Sequence, residues 1–224
     1  MARKPKEGEQ GKLALKERGW GGARKGAGRK PKGPRPMGDR PATPHLARPA
    51  IERRHPVHLT LRLMPEVWNL RSKRAYRVLA AALLGVREMG LRLTHYSAQG
   101  NHLHMIAEVE TRSALSRAMR SLSIRAAKGL NKLMGRKGRV FADRYHLVVL
   151  KTPRQVANAI RYVLSNTRKH MLERGEKPAA VTFDAYAAGP AEHVPRTMRL
   201  LPSALVLEPR TWLLGVGWRR AVPT

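Results

Sequence analysis

His102 and His104 stand two apart in the run Tyr96-Ser-Ala-Gln-Gly-Asn-His-Leu-His-Met-Ile-Ala-Glu-Val-Glu110, and Tyr162 and Asn166 stand four apart further along the chain. The first run alternates like a β-strand, in which residues two apart leave the same face. Both imidazoles then share one face, while Leu103, Met105, Ala107 and Val109 share the other. Two aligned imidazoles are half a metal site. On a helix, residues four apart are neighbours, which sets a nucleophile, Tyr162, beside a third ligand, Asn166. Breaking a phosphodiester requires a nucleophile in line with the leaving oxygen and something to offset charge on the non-bridging oxygens, a task suited to a divalent ion. On this reading His102 and His104 hold the ion, Asn166 adds a carbonyl oxygen, and Tyr162 attacks. The phosphotyrosine product keeps the bond energy and is resealed by a free 3′ hydroxyl, so no nucleotide cofactor is required.

Composition agrees with that chemistry. The 224 residues carry 45 Lys plus Arg against 15 Asp plus Glu, a net charge of +30, and such self-repulsion calls for a polyanion, with nucleic acid the expected partner. No run approaches the roughly 18 apolar residues of a spanning helix, so no membrane partner is expected. The start lacks the apolar stretch of a secretory signal, and cytoplasmic residence follows as the default expectation. Cysteine is absent, which removes disulfides and thiolate zinc sites. A metal must take His, carboxylate, amide or water ligands, and these suit Mg²⁺ or Mn²⁺. An aromatic content of 5% argues against a surface built mainly of stacking platforms.

The elements that position these residues follow from patterning. Residues 1–54 read as a disordered basic arm, within which Gly26-Ala-Gly-Arg-Lys-Pro-Lys-Gly33 is similar to an AT-hook, with Arg29 and Lys30 in a minor groove. Residues 55–175 form the catalytic domain. Val57, Leu59, Leu61 and Leu63 alternate as a strand, and a helix is expected from about Ser72 to Met89, with Gly90 as its stop. A second strand, about Leu91 to Ala98, turns at Gln99-Gly-Asn101 into the histidine strand as an antiparallel hairpin. A helix from Arg112 to about Met134 has an apolar face and a basic stripe, Arg117, Arg125, Lys128 and Lys132, expected to follow a phosphate backbone. The loop Gly135-Arg-Lys-Gly-Arg139 adds Arg136, Lys137 and Arg139, and Tyr145 to Leu150 reads as a fourth strand. Thr152 as N-cap, Pro153 at the first helical position and Gln155 completing a capping box open a helix to about Leu172. Its core face is Val156, Ile160 and Val163, with Gln155, Asn158, Tyr162 and Asn166 on a polar flank. Residues 176–224, rich in proline, are a C-terminal extension without an assigned structure.

The order β-α-β-β-α-β followed by a helix gives an α+β class, a ferredoxin-like four-stranded antiparallel sheet with helices on one face and the tyrosine helix added at its C-terminal end. Three stretches then carry a family resemblance: Gly100-Asn-His-Leu-His-Met-Ile-Ala107, Gly138-Arg-Val-Phe-Ala-Asp-Arg-Tyr-His146 and Ala159-Ile-Arg-Tyr-Val-Leu-Ser-Asn-Thr-Arg-Lys-His170. In order and spacing they resemble the HUH single-tyrosine transposases, especially the REP-associated branch, over about residues 55–172. The resemblance implies cleavage and strand transfer of single-stranded DNA near a hairpin with Mg²⁺ or Mn²⁺. It assigns His102 and His104 as the metal-binding pair, Tyr162 as the nucleophile and Asn166 as a further ligand. Where the family has Asn-Pro this chain has Asn166-Thr167. The ending Pro209-Arg-Thr-Trp-Leu-Leu-Gly-Val-Gly-Trp-Arg220 also resembles closing segments of some bacterial members and receives no chemistry.

Other candidates are weighed against these. Tyr145 is a rival nucleophile, but in a strand it lacks a ligand one turn away, so it is read as packing or stacking on DNA. His58, His95 and His146 are read as surface or hydrogen-bonded histidines. Asp143 and Arg144 position a phosphate or form a turn pair. Glu108 either supports the metal from outside its ligands or ends the strand as a solvated acid. The expected activity is that of a DNA transposase with a 5′-phosphotyrosine intermediate. Two other readings stand beside it: a domesticated relative that grips hairpin DNA without cutting, and a basic RNA-associated protein in which the histidines and Tyr162 are unrelated in space. Whether the tyrosine serves its own sheet or that of a partner in a homodimer is open at this point.

Overall fold

A computed structural model describes residues 48–200 and 203–221. Arg29 and Lys30 lie outside the described residues. The elements are β1 (Val57–Arg62), α1 (Lys73–Leu84), β2 (Leu91–Ala98), β3 (His102–Val109), α2 (Arg112–Leu133), β4 (His146–Val149), α3 (Pro153–Glu173), β5 (Thr182–Asp184), β6 (Ala187–Ala188), β7 (Met198–Leu200) and α4 (Trp212–Gly215). Local chemistry sets the helix starts. Ser72 and Thr111 accept the backbone N–H groups of Ala75 and Ala114. Thr152 accepts from Gln155 N–H while the Gln155 side chain accepts from the Thr152 backbone, the reciprocal box its sequence announces. α1 ends earlier than expected, at Leu84, and turns carry the chain to Gly90, whose φ of +79° is the left-handed conformation glycine tolerates. β4 begins after Tyr145, whose ring lies under the Arg48 guanidinium, 3.6 Å from its centroid.

The principal sheet has five antiparallel strands in the order β4-β1-β3-β2-β6, not the four expected. The fifth, β6, comes from the C-terminal extension and pairs with Tyr96 and Ser97 of β2. Nor do the helices lie on one face. α1 and α2 bury Leu79, Leu83, Leu115, Met119 and Leu122 against Leu103, Met105 and Ala107 of β3. α3 packs Val156, Ile160 and Val163 on the opposite face against Ile106, joined there by Leu213 and Leu214 of α4. A second, two-stranded parallel sheet pairs β5 with β7. No helix of the described residues is long and apolar enough to cross a membrane.

The extension is tied down by single polar groups. Glu108, buried at the end of β3, is neither a support of the metal nor a solvated acid: its carboxylate accepts the backbone N–H groups of Arg210 (2.9 Å) and Thr211 (2.7 Å) at the start of α4. Thr211 caps that turn in its own right. His95 in β2 meets His193 of the extension, Nε2 to Nδ1, at 2.8 Å.

Burial pushes His95 well below the usual histidine range, and His193, chiefly for the same reason, down to about 4. Both are neutral in the folded protein, whereas in the unfolded chain each takes a proton near 6.5. Stability is therefore complete above that pH and falls as acid protonates the unfolded chain, by up to about 1.4 kcal/mol per pH unit for each group. Denaturant unfolding at pH 7, 5.5 and 4.5 should show this loss, and His193→Gln, which cannot titrate, should make the slope shallower.

Candidate functional site

The even-numbered residues of β3 carry the site. His102 and His104 emerge on the α3 side, with ring centroids 4.7 Å apart. His104 Nδ1 lies 3.0 Å from Thr60 Oγ1 and 3.3 Å from His58 Nε2, both on β1, while its Nε2 is buried without a partner. His102 Nδ1 donates to Asn101 Oδ1 at 2.8 Å. Each imidazole thus has its Nδ1 engaged and its Nε2 left over, the arrangement that orients a histidine toward an ion. Burial, strengthened by His102, His58 and His170, pushes His104 down to about 3. Burial pushes His102 and His58 to about 4, the first aided by His170 and Arg62, the second by His146. All three are neutral near pH 7, so their lone pairs are available.

α3 brings Tyr162 to this pair. Its ring centroid is 5.0 Å from that of His104 and 6.0 Å from that of His58. The tyrosine is 40% exposed and so within reach of a ligand. Asn166, one turn on, does not sit on a polar flank as expected. It belongs to the buried face of α3, and neither its amide nitrogen nor its oxygen has a partner. Two orphaned amide atoms and an orphaned imidazole nitrogen in one region are what a site for a divalent ion offers from the protein side. Among the described residues no three His, Cys, Asp or Glu are grouped to hold an ion. A set built on His102 and His104 would depend on the Asn166 amide as its third member.

Thr167 explains how α3 is held at this register. Its hydroxyl donates to the buried carboxylate of Asp184. It also accepts from Arg71 Nη1 at 2.9 Å and Gln99 Nε2 at 3.2 Å. One residue therefore joins the tyrosine helix to the loop before α1, to the β2–β3 turn and to the extension. Proline at this position could do none of it. Sequence reading missed Asp184, Arg71, Thr60 and His170. Of these only Thr60 lies in a legible pattern, alternating with the buried Leu59 and Leu61 so that it shares the other face of β1 with His58.

The basic residues divide. Arg117, Arg125, Lys128 and Lys132 are exposed on α2, across the sheet from Tyr162, so they do not border the site. The loop of Arg136, Lys137 and Arg139 is near its histidine end: Ala142 N–H donates to Arg62 O, and Arg62 pairs with His102. Arg139, exposed, folds back on its own loop, donating to Phe141 O and Ala142 O. Arg144 follows in the same loop, its backbone N–H on Asp143 Oδ1. His146 is exposed on β4, opposite Thr60. Tyr145 lies below the Arg48 guanidinium, whose Nη2 donates to its carbonyl oxygen.

No family model matches the sequence, and no curated protein does. Among solved structures, the chain is similar to a REP-associated tyrosine transposase bound to a REP hairpin, with a TM-score of 0.48 and 16% identity over 57% of this chain and 74% of that one. It is also similar to a bacterial tRNA(His) guanylyltransferase-like protein in complex with GTP, with a TM-score of 0.44 and 10% identity over 56% of this chain and 68% of that one.

The arrangement yields a binding test independent of any reaction. Mn²⁺ titrated into the full chain should be bound by the wild type, and His102→Ala or His104→Ala should abolish binding. Thr60→Val, which removes the oxygen that orients His104, should weaken it roughly tenfold to a hundredfold. Equal affinities in all four proteins would place the ion elsewhere.

Proposed function

We propose that the chain is a metal-assisted tyrosine transposase of the single-tyrosine HUH type, REP-associated branch, built on a ferredoxin-like sheet extended by one strand. It cuts single-stranded DNA beside a hairpin and rejoins it. The observation that carries this reading is the Tyr162 ring, 5.0 Å from the imidazole of His104, whose Nε2 is buried and unpartnered. The motif order and the net charge of +30 support it independently. The reading that leaves the histidines and Tyr162 unrelated in space does not agree with that distance.

Mg²⁺ or Mn²⁺, bound by His102, His104 and Asn166, would offset charge on the non-bridging phosphate oxygens. The residues do the rest. The phenolic oxygen of Tyr162 bonds to phosphorus, the 3′ oxygen departs, and the 5′ end stays on the enzyme as a phosphotyrosine. A 3′ hydroxyl later attacks that linkage and frees the tyrosine, with no external energy source. The packing of α3 on the sheet of its own chain supports a reading in which one chain supplies nucleophile and ligands together, without need of a homodimer. Arg136, Lys137 and Arg144 border the end of the sheet where His102 lies and would guide the single strand. Arg117, Arg125, Lys128 and Lys132 face away and would take duplex remote from the cut. In a bacterial cell such a protein would associate with the nucleoid.

A labelled hairpin oligonucleotide with a single-stranded flank, incubated with Mg²⁺ or Mn²⁺ and run on a denaturing gel, tests this. Wild type should give a covalent adduct, Tyr162→Phe none, and His102→Ala an adduct formed roughly a hundredfold or more slowly, the several kcal/mol a metal supplies. Mixing His102→Ala with Tyr162→Phe should not restore wild-type activity, since each α3 serves its own sheet. Cleavage by Tyr162→Phe at the wild-type rate would sink the assignment.

A further inference from the structure

Resting on the reading of the chain as one that handles single-stranded DNA, we propose that Trp212, with Arg220 beside it, is a stacking platform for a base of the single strand. The contact is built by residues 209–220, the closing segment to which no chemistry has so far been given, and it is separate from the histidine site. Of the three tryptophans among the described residues, Trp212 is the most exposed, at 51%. Exposure alone is ordinary for a single apolar residue. What sets this ring apart is that it is held.

The Glu108 carboxylate accepts the backbone N–H groups of Arg210 and Thr211, and Thr211 in turn caps α4 through Leu214 N–H. Leu213 and Leu214 are buried with Ile106, Ile160 and Leu164. The indole then lies on Gly217: a side-chain carbon at that position would stand 2.6 Å from its Cζ3, 2.8 Å from Cε3 and 3.0 Å from Cη2. Three adjacent ring carbons at such similar distances mean that the ring meets the glycine with its face. Its exposure therefore belongs to the other face and the edges. The Arg220 guanidinium carbon is 5.2 Å from the ring centroid, against 3.6 Å for Arg48 over Tyr145, so it stands off from the ring and does not cover it.

An open indole face with a cation beside it suits a base joined to a phosphate. Stacking on an aromatic face accepts any base, and the guanidinium supplies the charge for the backbone. A duplex keeps its base faces against one another, so such a platform favours single strands. Residues 208–220 add charge of the required sign: Arg210, Arg219 and Arg220 are exposed against one acid, Glu208, with Arg219 at 4.0 Å from Glu192. A lipid surface also attracts tryptophan and arginine, but it needs a broad apolar face to bury, and here Leu213 and Leu214 are spent on the core. Because the ring is already fixed, little ordering cost is left for binding. With aromatics at 5% of the chain, this is one platform and not a series.

The platform is on the Tyr162 side of the sheet. α4 packs with α3 against Ile106, and Trp218 of the 3₁₀ turn Gly217–Ala221 packs against the same cluster. The basic stripe of α2 is on the other side. The seat of the platform, Glu108, is four residues beyond His104 on β3, an advance of about 13 Å. A single strand on Trp212 therefore shares a face of the protein with the tyrosine.

Fluorescence anisotropy of a labelled, unstructured oligodeoxythymidine, with the full chain and no metal, measures this contact apart from any reaction. Trp212→Ala should weaken single-strand binding roughly tenfold to a hundredfold, the usual worth of one stacked base. Its affinity for a blunt duplex should stay at the wild-type value, which also shows that the variant is folded. Trp212→Phe keeps a ring face and should retain most of the affinity. Gly217→Ala pushes the ring off its seat and should bind as weakly as Trp212→Ala. Arg220→Ala should reduce the salt slope of single-strand binding by about one. Wild-type affinity in Trp212→Ala, or equal loss on single strand and duplex, would overturn the proposal. Trp212-dependent binding to phosphatidylglycerol vesicles in place of DNA would overturn it as well. Trp212-dependent binding of the single strand supports the platform whether or not wild type forms the tyrosine adduct, so the two readings fail separately.

Discussion

β3 is buried on both faces, and the alternation of its side chains decides where everything else goes. Leu103, Met105, Ala107 and Val109 are committed to the core beneath α1 and α2, so His102, His104, Ile106 and Glu108 must face the other way. Of those four only Ile106 is apolar. It anchors α3, while the polar residues on either side receive different duties. Toward the N-terminal end the histidines meet Tyr162 and His170, and toward the C-terminal end Glu108 receives the backbone of the extension. A one-residue slip of this strand would exchange the two sets and lose both the core and the site.

In so basic a chain, the acids around the site are already committed. Glu108 accepts the Arg210 and Thr211 amides and pairs with Arg92, and Asp184, fully buried, is paired with Arg71 and bonded by Thr167. What faces the proposed ion is therefore neutral: two imidazoles held uncharged by burial, and an amide. A small hard cation prefers charged oxygens and binds such a set weakly alone. On the proposed reading the phosphate of the substrate would supply the missing negative charge, so ion and DNA would reinforce one another's binding. The spending of the carboxylates on architecture and the neutrality of the site are two aspects of one arrangement.

Much of this was legible in the sequence because it is written in local periodicity and capping. The period of two in β3, the box at Thr152 and Gln155, and the 3.6-residue face of α2 each involve residues close in the chain. The extension was not legible for the opposite reason. β6 has two residues and β5 and β7 three each, too short for any period. The contacts that fasten the extension join residues as far apart as Arg71 and Asp184, or Glu108 and Arg210. The position of the α2 stripe across the sheet from the tyrosine could have been inferred. The handedness of connections between strands places α1 and α2 together on one face, leaving the other for a later helix. Asn166 was misplaced because an amide on an amphipathic helix looks like surface unless something inside needs it.

Helix and strand meet here with mismatched pitches, and the site uses the difference. Four residues of helix advance about 6 Å, close to the advance of two residues of strand, so successive turns of α3 keep pace with successive inward residues of β3. Over one such step the two elements stay aligned, which would let Asn166 serve the same proposed ion as the histidines. Over two helical steps against one strand step they do not: Tyr162 has its ring by His104, and His170, eight residues on, has its ring by His102. Helical side chains lean toward the N-terminus, which carries His170 back over His102 and inclines Tyr162 away from Asn166. One added residue in α3 between Tyr162 and Asn166 would rotate the later residues by about 100° and break that alignment. Anchoring at Thr167, between Asn166 and His170, fixes that rotation where an error would cost most.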